Sequence, residues 1–263
     1  MPSVVLVQPP KGTRFGLRMI EASSDRKVTP VAIQRKDGRW DPRVKNTYGL
    51  PAKYCTGRTE FCDKHCYAEK IEKHRPNVRN LLERNWEFVS AHLDDYYALA
   101  EELFDLVGEA LWGFRRHRVP KEHWVFRHFW DGDIPSESFA FAMRDVANKY
   151  PEIKFWVYTR SFDVIHALSG AANLQVYLSV DNFNVSKAIE CERYNPWVNL
   201  AFCADNWAQT LRLADKFPHR RRGPRCPELT GKMPLVNDGV GACVDCGLCI
   251  KGVNNVRFAA SNK

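Results

Sequence analysis

Predicted strands alternate with predicted helices through the middle of this chain, and this alternation limits the fold more than any other feature. Short hydrophobic runs recur at intervals of about 20 to 30 residues, and a segment with helical spacing of hydrophobic residues follows each run. The predicted strands are 124–130, 153–158, 174–180 and 198–202, and the predicted helices are 136–150, 162–168, 185–192 and 207–217. Such alternation is typical of parallel β-α units wound into a sheet or a barrel.

Two further strands extend this prediction to six, one near residues 48–54 and the last at 256–260. Helical spacing also predicts two long helices over 67–89 and 93–114. Residues 1–47 are polar, with short strand-like pieces at 4–7 and 31–34, and we expect an irregular N-terminal arm or cap there. Residues 48–225 would then form the main α/β domain, and residues 226–263 would add a small cysteine-rich lobe and the final strand.

Three cysteines, Cys55, Cys62 and Cys66, share one short segment after the first predicted strand. Three thiolates on one loop can hold three irons of a cubane cluster and leave the fourth iron open to a substrate or cofactor. Alternatively, the three thiolates and the imidazole of His65 or His74 could form a closed tetrahedral zinc site. The N-terminus lacks the apolar segment of a secretory signal, so we expect a cytoplasmic protein whose cysteines are metal or cluster ligands rather than disulfides.

A second group of cysteines lies near the C-terminus and consists of Cys226, Cys243, Cys246 and Cys249. A C-x2-C-x2-C run with a separate Cys-Pro is typical of ferredoxin-type sites, although here the separate cysteine precedes the run. This pattern predicts a second [4Fe-4S] cluster, with a four-thiolate structural zinc site as the alternative. The two remaining cysteines, Cys191 and Cys203, stand apart from both groups and are predicted to be core residues.

Polar side chains follow the central predicted strands at the points where the strands end. In parallel β-α architectures these carboxyl ends form the functional face, and the first cysteine loop should open on the same face. Two carboxylates around Gly132 exceed what one helix cap requires, and His128 lies on the strand that leads to them, where alternation could aim it inward. The candidate site residues are His128, Asp131, Asp133, Thr159, Arg160, Ser179 and Asp181.

The chain is basic, with a formal net charge of +8. Two runs concentrate this charge: residues 115–118 with Lys121, near Trp112 and Trp124, and residues 216–225. Positive charge with interleaved aromatic side chains suits nucleic acid, through phosphate contacts and base stacking. The alternative is that both runs are ordinary solvated surface. No stretch reaches about 18 consecutive apolar residues, so we expect no membrane partner.

Four motifs occur in a fixed order along the chain. They are the C-x6-C-x3-C loop followed by Tyr67 and Ala68, the strand that ends in Trp130-Asp131-Gly132-Asp133, the segment Phe-Trp-Val-Tyr-Thr-Arg at 155–160 and the segment Val-Tyr-Leu-Ser-Val-Asp at 176–181. In this order they resemble phage-encoded proteins of the radical S-adenosylmethionine (SAM) superfamily, from about residue 48 to the C-terminus. The gaps between the cysteines are longer than the commonest spacing of that superfamily, so the zinc alternative stays open.

The resemblance implies a partial (βα)6 TIM-like barrel and a [4Fe-4S] cluster whose open iron binds SAM. Cys55, Cys62 and Cys66 would be the ligands of this cluster, and Tyr67 would pack beside the cluster or the adenine. Asp131 and Asp133 would contact the SAM amino group, Arg160 its carboxylate, and Ser179 or Asp181 the ribose hydroxyls. We also keep Asp131, Asp133 and His128 as candidate catalytic residues.

The same resemblance implies an activity. Reductive cleavage of SAM would yield a 5′-deoxyadenosyl radical that abstracts hydrogen from substrate, with the electron coming from a flavodoxin or ferredoxin type of donor. Phage DNA or nucleotide hypermodification, in the host cytoplasm, is the process that the basic charge favours. The alternative function is a non-catalytic nucleic-acid-binding protein whose cysteines hold two structural zinc ions.

Overall fold

The computed structural model of the chain describes residues 19–252 and 255–261, so the strand predicted at 4–7 lies outside the described residues. A hairpin of β1 (Ala32–Gln34) and β2 (Trp40–Pro42) comes first, and β1 confirms the strand predicted at 31–34. Four helices follow, namely α1 (Glu60–His65), α2 (Tyr67–His74), α3 (Pro76–Ala91) and α4 (Tyr96–Arg116). Short 3-10 helices cover Ala52–Tyr54 and Lys121–His123.

The alternating region contains the predicted elements with adjusted bounds. They are β3 (Val125–Arg127), α5 (Glu137–Lys149), β4 (Lys154–Thr159), a 3-10 helix (Phe162–Leu168), β5 (Leu174–Val180), α6 (Val185–Tyr194), β6 (Asn199–Ala204) and α7 (Trp207–Ala214). The C-terminal lobe adds β7 (Val236–Asn237), β8 (Val240–Gly241), α8 (Ala242–Cys246) and α9 (Leu248–Lys251), and β9 (Val256–Ala259) returns to the main sheet.

Five strands form one parallel sheet in the order β3-β4-β5-β6-β9, and this sheet curls like half of a barrel. Within this sheet, each strand pairs with the sheet strand that precedes it in the chain. At least one helix lies on every connection between neighbouring strands. The prediction of an α/β protein built from parallel β-α units is therefore confirmed.

The strand predicted at 48–54 is wrong. Among the described residues, this edge of the sheet is extended by a single parallel bridge between Thr47 and Arg127, and the chain then turns into the 3-10 helix. Pro51 has no N–H group to donate to a ladder, and the N–H of Ala52 donates instead to Glu72 Oε1 at 2.9 Å. The first cysteine loop nevertheless begins beside β3, at the edge of the sheet.

The helix predicted at 67–89 consists of two helices. Pro76 opens α3, and a proline disfavours helical backbone in the residue before it. Arg75 accordingly has φ −133° and ψ 86°, which separates α2 from α3. The strand predicted at 124–130 is also shorter, because Trp124 follows a 3-10 turn and Phe129 adopts a φ of 54°, outside strand geometry.

Helix α4 confirms the second predicted long helix and is 21 residues long. Asp95 caps its first turn by accepting from the N–H of Ala98 at 3.1 Å. One side of the helix, including Leu99, Leu103 and Leu106, is buried in the main core. Among the described residues, neither α4 nor another helix combines the length and the apolar character needed to cross a membrane.

The two faces of the sheet have different partners. One face, here called the helix face, packs in the main core through side chains such as Phe126, Phe155 and Phe202. The other, here called the lobe face, carries Trp156 and Tyr158 and is covered by the C-terminal lobe. Because both faces are covered, the strands are hydrophobic on both sides rather than alternating between apolar and polar residues.

The described part of the predicted N-terminal arm packs against the main core and against the C-terminal lobe. Ile20 and Val44 lie in the main core. Residues 25–32, here called the strap, run along the C-terminal lobe through three backbone hydrogen bonds. They are Ala32 N to Gly239 O at 2.7 Å, Gly241 N to Thr29 O at 2.8 Å and Cys243 N to Lys27 O at 2.8 Å. Lys27 Nζ also lies 2.9 Å from Glu228 Oε2.

Candidate metal and ligand site

The first cysteine loop lies at the carboxyl end of the sheet. Cys55 follows a 3-10 helix, Cys62 lies inside α1 and Cys66 is the N-cap of α2. Gly57 lets this loop approach the end of β4 closely, because a Cβ atom there would clash with the carbonyl oxygen of Arg160. The loop is therefore held against the edge from which the predicted site residues emerge.

The three thiols of this loop share one electrostatic environment. Burial raises the pKa of the Cys55 thiol, and negative charge on Asp133, Asp131 and the other two cysteines raises it further. Burial also raises the pKa of Cys66, where Asp131 and Cys62 act in the same direction. Such thiols keep their protons at neutral pH unless a metal cation takes the place of the protons. The loop therefore suits a positively charged metal centre better than free thiolate chemistry.

The histidines considered for a closed zinc site do not join the cysteines. His65 Nε2 lies 2.7 Å from Asp205 Oδ1, and His74 is exposed at the end of α2. Within residues 19–252 and 255–261, no group of three or more His, Cys, Asp and Glu side chains is arranged to hold a metal ion.

Asp131 is a buried carboxylate that lies beside the carboxyl group of Glu72 and has no hydrogen-bond partner among the described residues. Its side chain is 2% exposed, and neither Oδ1 nor Oδ2 has a hydrogen-bond partner there. Burial, followed by the charge of the neighbouring Glu72, raises the pKa of Asp131 to about 8. Leaving a buried polar group unpartnered costs about 1–3 kcal/mol. The observed orphaned carboxylate therefore fits a cationic ligand group, such as the ammonium of an amino acid.

Asp133 has partners on both of its carboxylate oxygens. Oδ1 accepts from Thr159 Oγ1 at 2.6 Å and from Ile134 N at 2.8 Å, and Oδ2 accepts from Arg160 N at 2.7 Å. Burial nevertheless raises its pKa, against the effect of these donors. Asp133 thus ties the end of β3 to the end of β4 and fixes the backbone of Arg160.

Side chains that follow β4 and β5 contact the cysteine loop directly. Arg160 Nε lies 3.3 Å from Asp181 Oδ2, and the same oxygen accepts from Thr59 Oγ1 at 2.7 Å. Thr59 Oγ1 lies 3.6 Å from Cys62 Sγ. Ser179 is buried on β5, two residues before Asp181. The structure thus brings Arg160 and Asp181 together with the loop, as the common carboxyl edge predicted.

Tyr67 and Arg127 connect the first cysteine loop to the lobe face. Tyr67 is 54% exposed, but its hydroxyl donates to Trp130 O at 2.6 Å. Arg127 Nη2 donates to Tyr67 Oη at 3.4 Å, and Nη1 lies 3.5 Å from Asp25 Oδ2. Its guanidinium also lies 5.7 Å from the centre of the Tyr158 ring, within cation–π range. Arg127 was not predicted from the sequence, although its position two residues after Val125 on β3 places it on the same face of the sheet.

The second cysteine group lies in the C-terminal lobe, over the lobe face. Burial raises the pKa of Cys249 to about 12, and negative charge on Cys226 and Cys246 raises it further. Cys243 interacts electrostatically with Cys249 and Cys226, and Arg127 opposes the rise in its pKa. Tyr158 packs in the same apolar clusters as Cys249. The four predicted ligands are thus neighbours, and Arg127 supplies positive charge beside them.

Two residues lie elsewhere than the sequence suggested. His128 is buried on the helix face, where its ring stacks on Phe155 and its Nδ1 lies 2.9 Å from Tyr48 Oη. Burial lowers its pKa to about 3, so it is neutral at physiological pH. Cys203 is not in the core but lies on the lobe face of β6. Burial raises its pKa to about 11; Arg160 opposes this rise, whereas Cys62 adds to it. Cys191 is confirmed as a core residue.

Comparison with known proteins gives one family. The family model described as Gene product 88 matches residues 19–252. The Gene 88 protein of Mycobacterium phage L5 is 34% identical over 250 residues, which cover 93% of this chain and 99% of that protein. The Gene 88 protein of Mycobacterium phage D29 is 34% identical over 253 residues, with 93% and 99% coverage. These relatives confirm the expectation of a phage protein family. No solved structure matches the chain significantly.

Proposed function

The chain belongs to the Gene product 88 family, and we propose that it is a radical SAM enzyme that modifies DNA or a nucleotide by hydrogen abstraction. In this proposal the half-barrel sheet is a shortened (βα)6 TIM-like barrel, in which the bridge at Thr47 stands for the first strand. The electron would come from a donor of the flavodoxin or ferredoxin type.

One juxtaposition carries the proposal: three cysteines on one loop lie beside an orphaned buried carboxylate at the carboxyl end of a curled parallel sheet. Burial and mutual interaction place Cys55, Cys62 and Cys66 in one environment with Asp131. A three-thiolate site leaves one metal position open, and the carboxylate offers a partner for a cation bound there. A structural zinc site needs neither the open position nor the unpartnered acid.

In this proposal, different residues bind the cluster and the parts of SAM. Cys55, Cys62 and Cys66 would hold a [4Fe-4S] cluster, which when bound supplies the electron that cleaves the SAM sulfonium. Asp131 would accept hydrogen bonds from the ammonium group of SAM, and Arg160 would pair with its carboxylate.

The remaining candidate residues would orient the ligand. Asp133 acts as a positioning residue, because it fixes the backbone of Arg160 and does not have a free oxygen to offer. Asp181 and Ser179 lie next along the edge, where ribose hydroxyls would lie. The exposed ring of Tyr67 covers this edge from the side of α2. His128 is excluded from direct contact by its place in the core.

Metal content tests the proposal. Wild-type protein purified without oxygen is expected to be brown, to contain about eight irons and to form 5′-deoxyadenosine from SAM on reduction. Cys62→Ser should keep about four irons and lose 5′-deoxyadenosine formation, because the site beside Asp131 loses a ligand. Cys246→Ser is the matched control: it should also keep about four irons but should still cleave SAM.

Colourless protein with two zinc ions and no SAM cleavage would contradict the enzyme and favour the second candidate function, a non-catalytic nucleic-acid-binding protein. The substrate class needs a separate readout, which is mass spectrometry of nucleosides from DNA incubated with the reduced enzyme and SAM. New nucleosides would support nucleic-acid modification, whereas unchanged nucleosides with active SAM cleavage would contradict that part of the proposal.

The second cysteine group would hold another [4Fe-4S] cluster, and Tyr158→Phe tests whether it is redox-active. Tyr158 packs in the same apolar clusters as Cys249, and a hydrogen bond from its hydroxyl to a ligand sulfur would raise the reduction potential of the cluster. Losing one hydrogen bond worth about 1 kcal/mol should lower the midpoint potential by about 40 mV. Potentiometric titration followed by electron paramagnetic resonance would measure this shift. Tyr150→Phe is the control, because it removes a hydroxyl that donates to Phe104 O at 3.2 Å, away from the C-terminal lobe. An unchanged potential in Tyr158→Phe would contradict the assignment.

A further inference from the structure

The amino end of the sheet carries a basic surface with exposed aromatic rings, on the opposite edge from the cysteine loop. Tyr194 ends α6 and is 74% exposed, and Trp197 precedes β6 and is 40% exposed. Arg193, Arg221 and Arg222 are exposed as well. These five residues, here called the amino-end surface, come from two segments that are distant in sequence.

Buried contacts join these two segments. Glu192 is nearly fully buried, and its carboxylate accepts from Arg220 Nε at 2.7 Å and lies 2.9 Å from His219 Nε2. Arg220 Nη2 also donates to Pro196 O at 2.7 Å. One buried acid and one arginine therefore fix the loop that contains Arg221 and Arg222 beside Trp197.

The backbone of this loop is fixed on its other side too. Asn255 Nδ2 donates to Arg221 O at 2.7 Å, and Arg257 Nε donates to Gly223 O at 2.8 Å. Gly223 has a φ of +73°, and a Cβ atom there would clash with the carbonyl oxygen of Asn255. The arginines are thus presented from a preorganised loop, which lowers the entropy cost of binding a partner.

The arginines at and beside the amino-end surface carry more positive charge than the neighbouring acidic side chains neutralise. Burial lowers the pKa of Arg257, and the like charges of Arg225 and Arg222 lower it further. Arg222 pairs with Asp215 at 2.6 Å, yet the exposed pair keeps its solvent contact. A polyanion would relieve this repulsion, and exposed aromatic rings beside it offer stacking platforms for bases.

We propose that the amino-end surface binds single-stranded nucleic acid and holds it outside the cysteine-loop site. The strands of the sheet separate the two places, since six residues of strand span about 20 Å. The bound strand would therefore be anchored by this surface while another part of the same polymer approaches the carboxyl edge. This binding activity goes beyond the proposed radical chemistry and does not depend on it.

Fluorescence anisotropy with a labelled oligothymidylate of about 12 nucleotides tests the proposal on the full chain. Trp197→Ala should weaken binding about 5- to 150-fold, as expected for the loss of one stacked base. Tyr97→Ala removes a ring on α4 that is more exposed than Trp197, at 82%, and should leave binding unchanged. Thermal unfolding of both variants shows whether they are folded.

The charge component is tested by the salt dependence of the same binding. Arg221→Ala with Arg222→Ala should reduce the slope of log affinity against log salt by about 1.4, because two phosphate contacts are lost. Lys36→Ala with Arg39→Ala removes the same charge from the β1–β2 turn and should leave the slope unchanged. This pair also keeps the test valid if Trp197→Ala fails to fold.

Three results would overturn the proposal. They are equal losses in the control variants, no oligothymidylate binding at about 50 mM salt, and binding of anionic phospholipid vesicles in place of the oligonucleotide. Cys62→Ser separates this inference from the enzymatic proposal, because it should bind oligothymidylate as the wild type does even though its first metal site is lost.

Discussion

A Gly57→Ala variant is expected to fold but to lose the first metal centre. Gly57 lies between Cys55 and Cys62, and an added Cβ would clash with the carbonyl oxygen of Arg160. This oxygen cannot move aside easily, because the N–H of Arg160 is held by Asp133 at 2.7 Å. The cysteine loop must move instead, at a cost of about 1–3 kcal/mol or more, and its thiols then leave their common environment.

Iron analysis and SAM cleavage measure this effect. Gly57→Ala should keep about four of the eight irons and should make no 5′-deoxyadenosine. Gly108→Ala places the same methyl group inside α4, where its nearest neighbour is the Tyr150 hydroxyl at 3.2 Å, and should retain all iron. A Gly57→Ala protein with full iron content and normal cleavage would show that the close approach to β4 is unimportant.

Asp131→Asn is expected to stabilise the metal-free protein and to weaken SAM binding at the same time. Both oxygens of Asp131 lack hydrogen-bond partners among the described residues, and burial together with the neighbouring Glu72 carboxyl raises its pKa to about 8. The folded protein therefore keeps the proton of Asp131 between about pH 4 and pH 8, whereas the unfolded chain releases it near pH 4. Unfolding is consequently favoured as pH rises through this range, and a neutral asparagine removes that dependence.

Urea unfolding of the reduced, metal-free protein measures the stability difference. The two proteins should differ little near pH 4, and Asp131→Asn should be more stable by on the order of 1–3 kcal/mol above pH 8. In the loaded protein, loss of the charged partner for the SAM ammonium should weaken binding about 10- to 150-fold, measured by calorimetry.

Asp133→Asn is the matched control, because this carboxylate is two residues away and is also buried. An asparagine there would direct an N–H group at the N–H of Arg160, so we expect destabilisation rather than stabilisation. If both variants changed the free energy of unfolding in the same direction, the distinction between an unpartnered and a hydrogen-bonded carboxylate would be contradicted.

The sequence predicted the central sheet well, because hydrophobic runs separated by helical segments specify parallel units locally. It also placed Asp131, Asp133, Arg160 and Asp181 at one edge, since parallel strands end on the same side. It failed at residues 48–54, where Tyr48 and Leu50 make backbone hydrogen bonds to Trp130 and Asp131 beyond the end of β3 without forming a strand. Whether an edge segment pairs depends on distant partners, here Glu72 for the N–H of Ala52.

The sequence also did not predict which face of the sheet the strand side chains point to. Alternation gives two faces but does not say which one meets the site when both are covered. His128 shares its face with Phe126 and lies in the core, while Arg127 points to the lobe face and contacts Tyr67. Cys203 was assigned to the core because no other cysteine is near it in sequence, although Arg160 and Cys62 influence it in the folded protein. These contacts join residues more than forty positions apart.

The strap across the C-terminal lobe has a consequence for how the protein matures. The backbone N–H of Cys243 donates to Lys27 O, and β9 joins the edge of the sheet only after the lobe has been made. The ribosome has therefore nearly finished the chain before the second set of thiols can be enclosed. A cluster proposed for that lobe would therefore be enclosed only late in synthesis, and a truncated product would leave these cysteines open to oxidation.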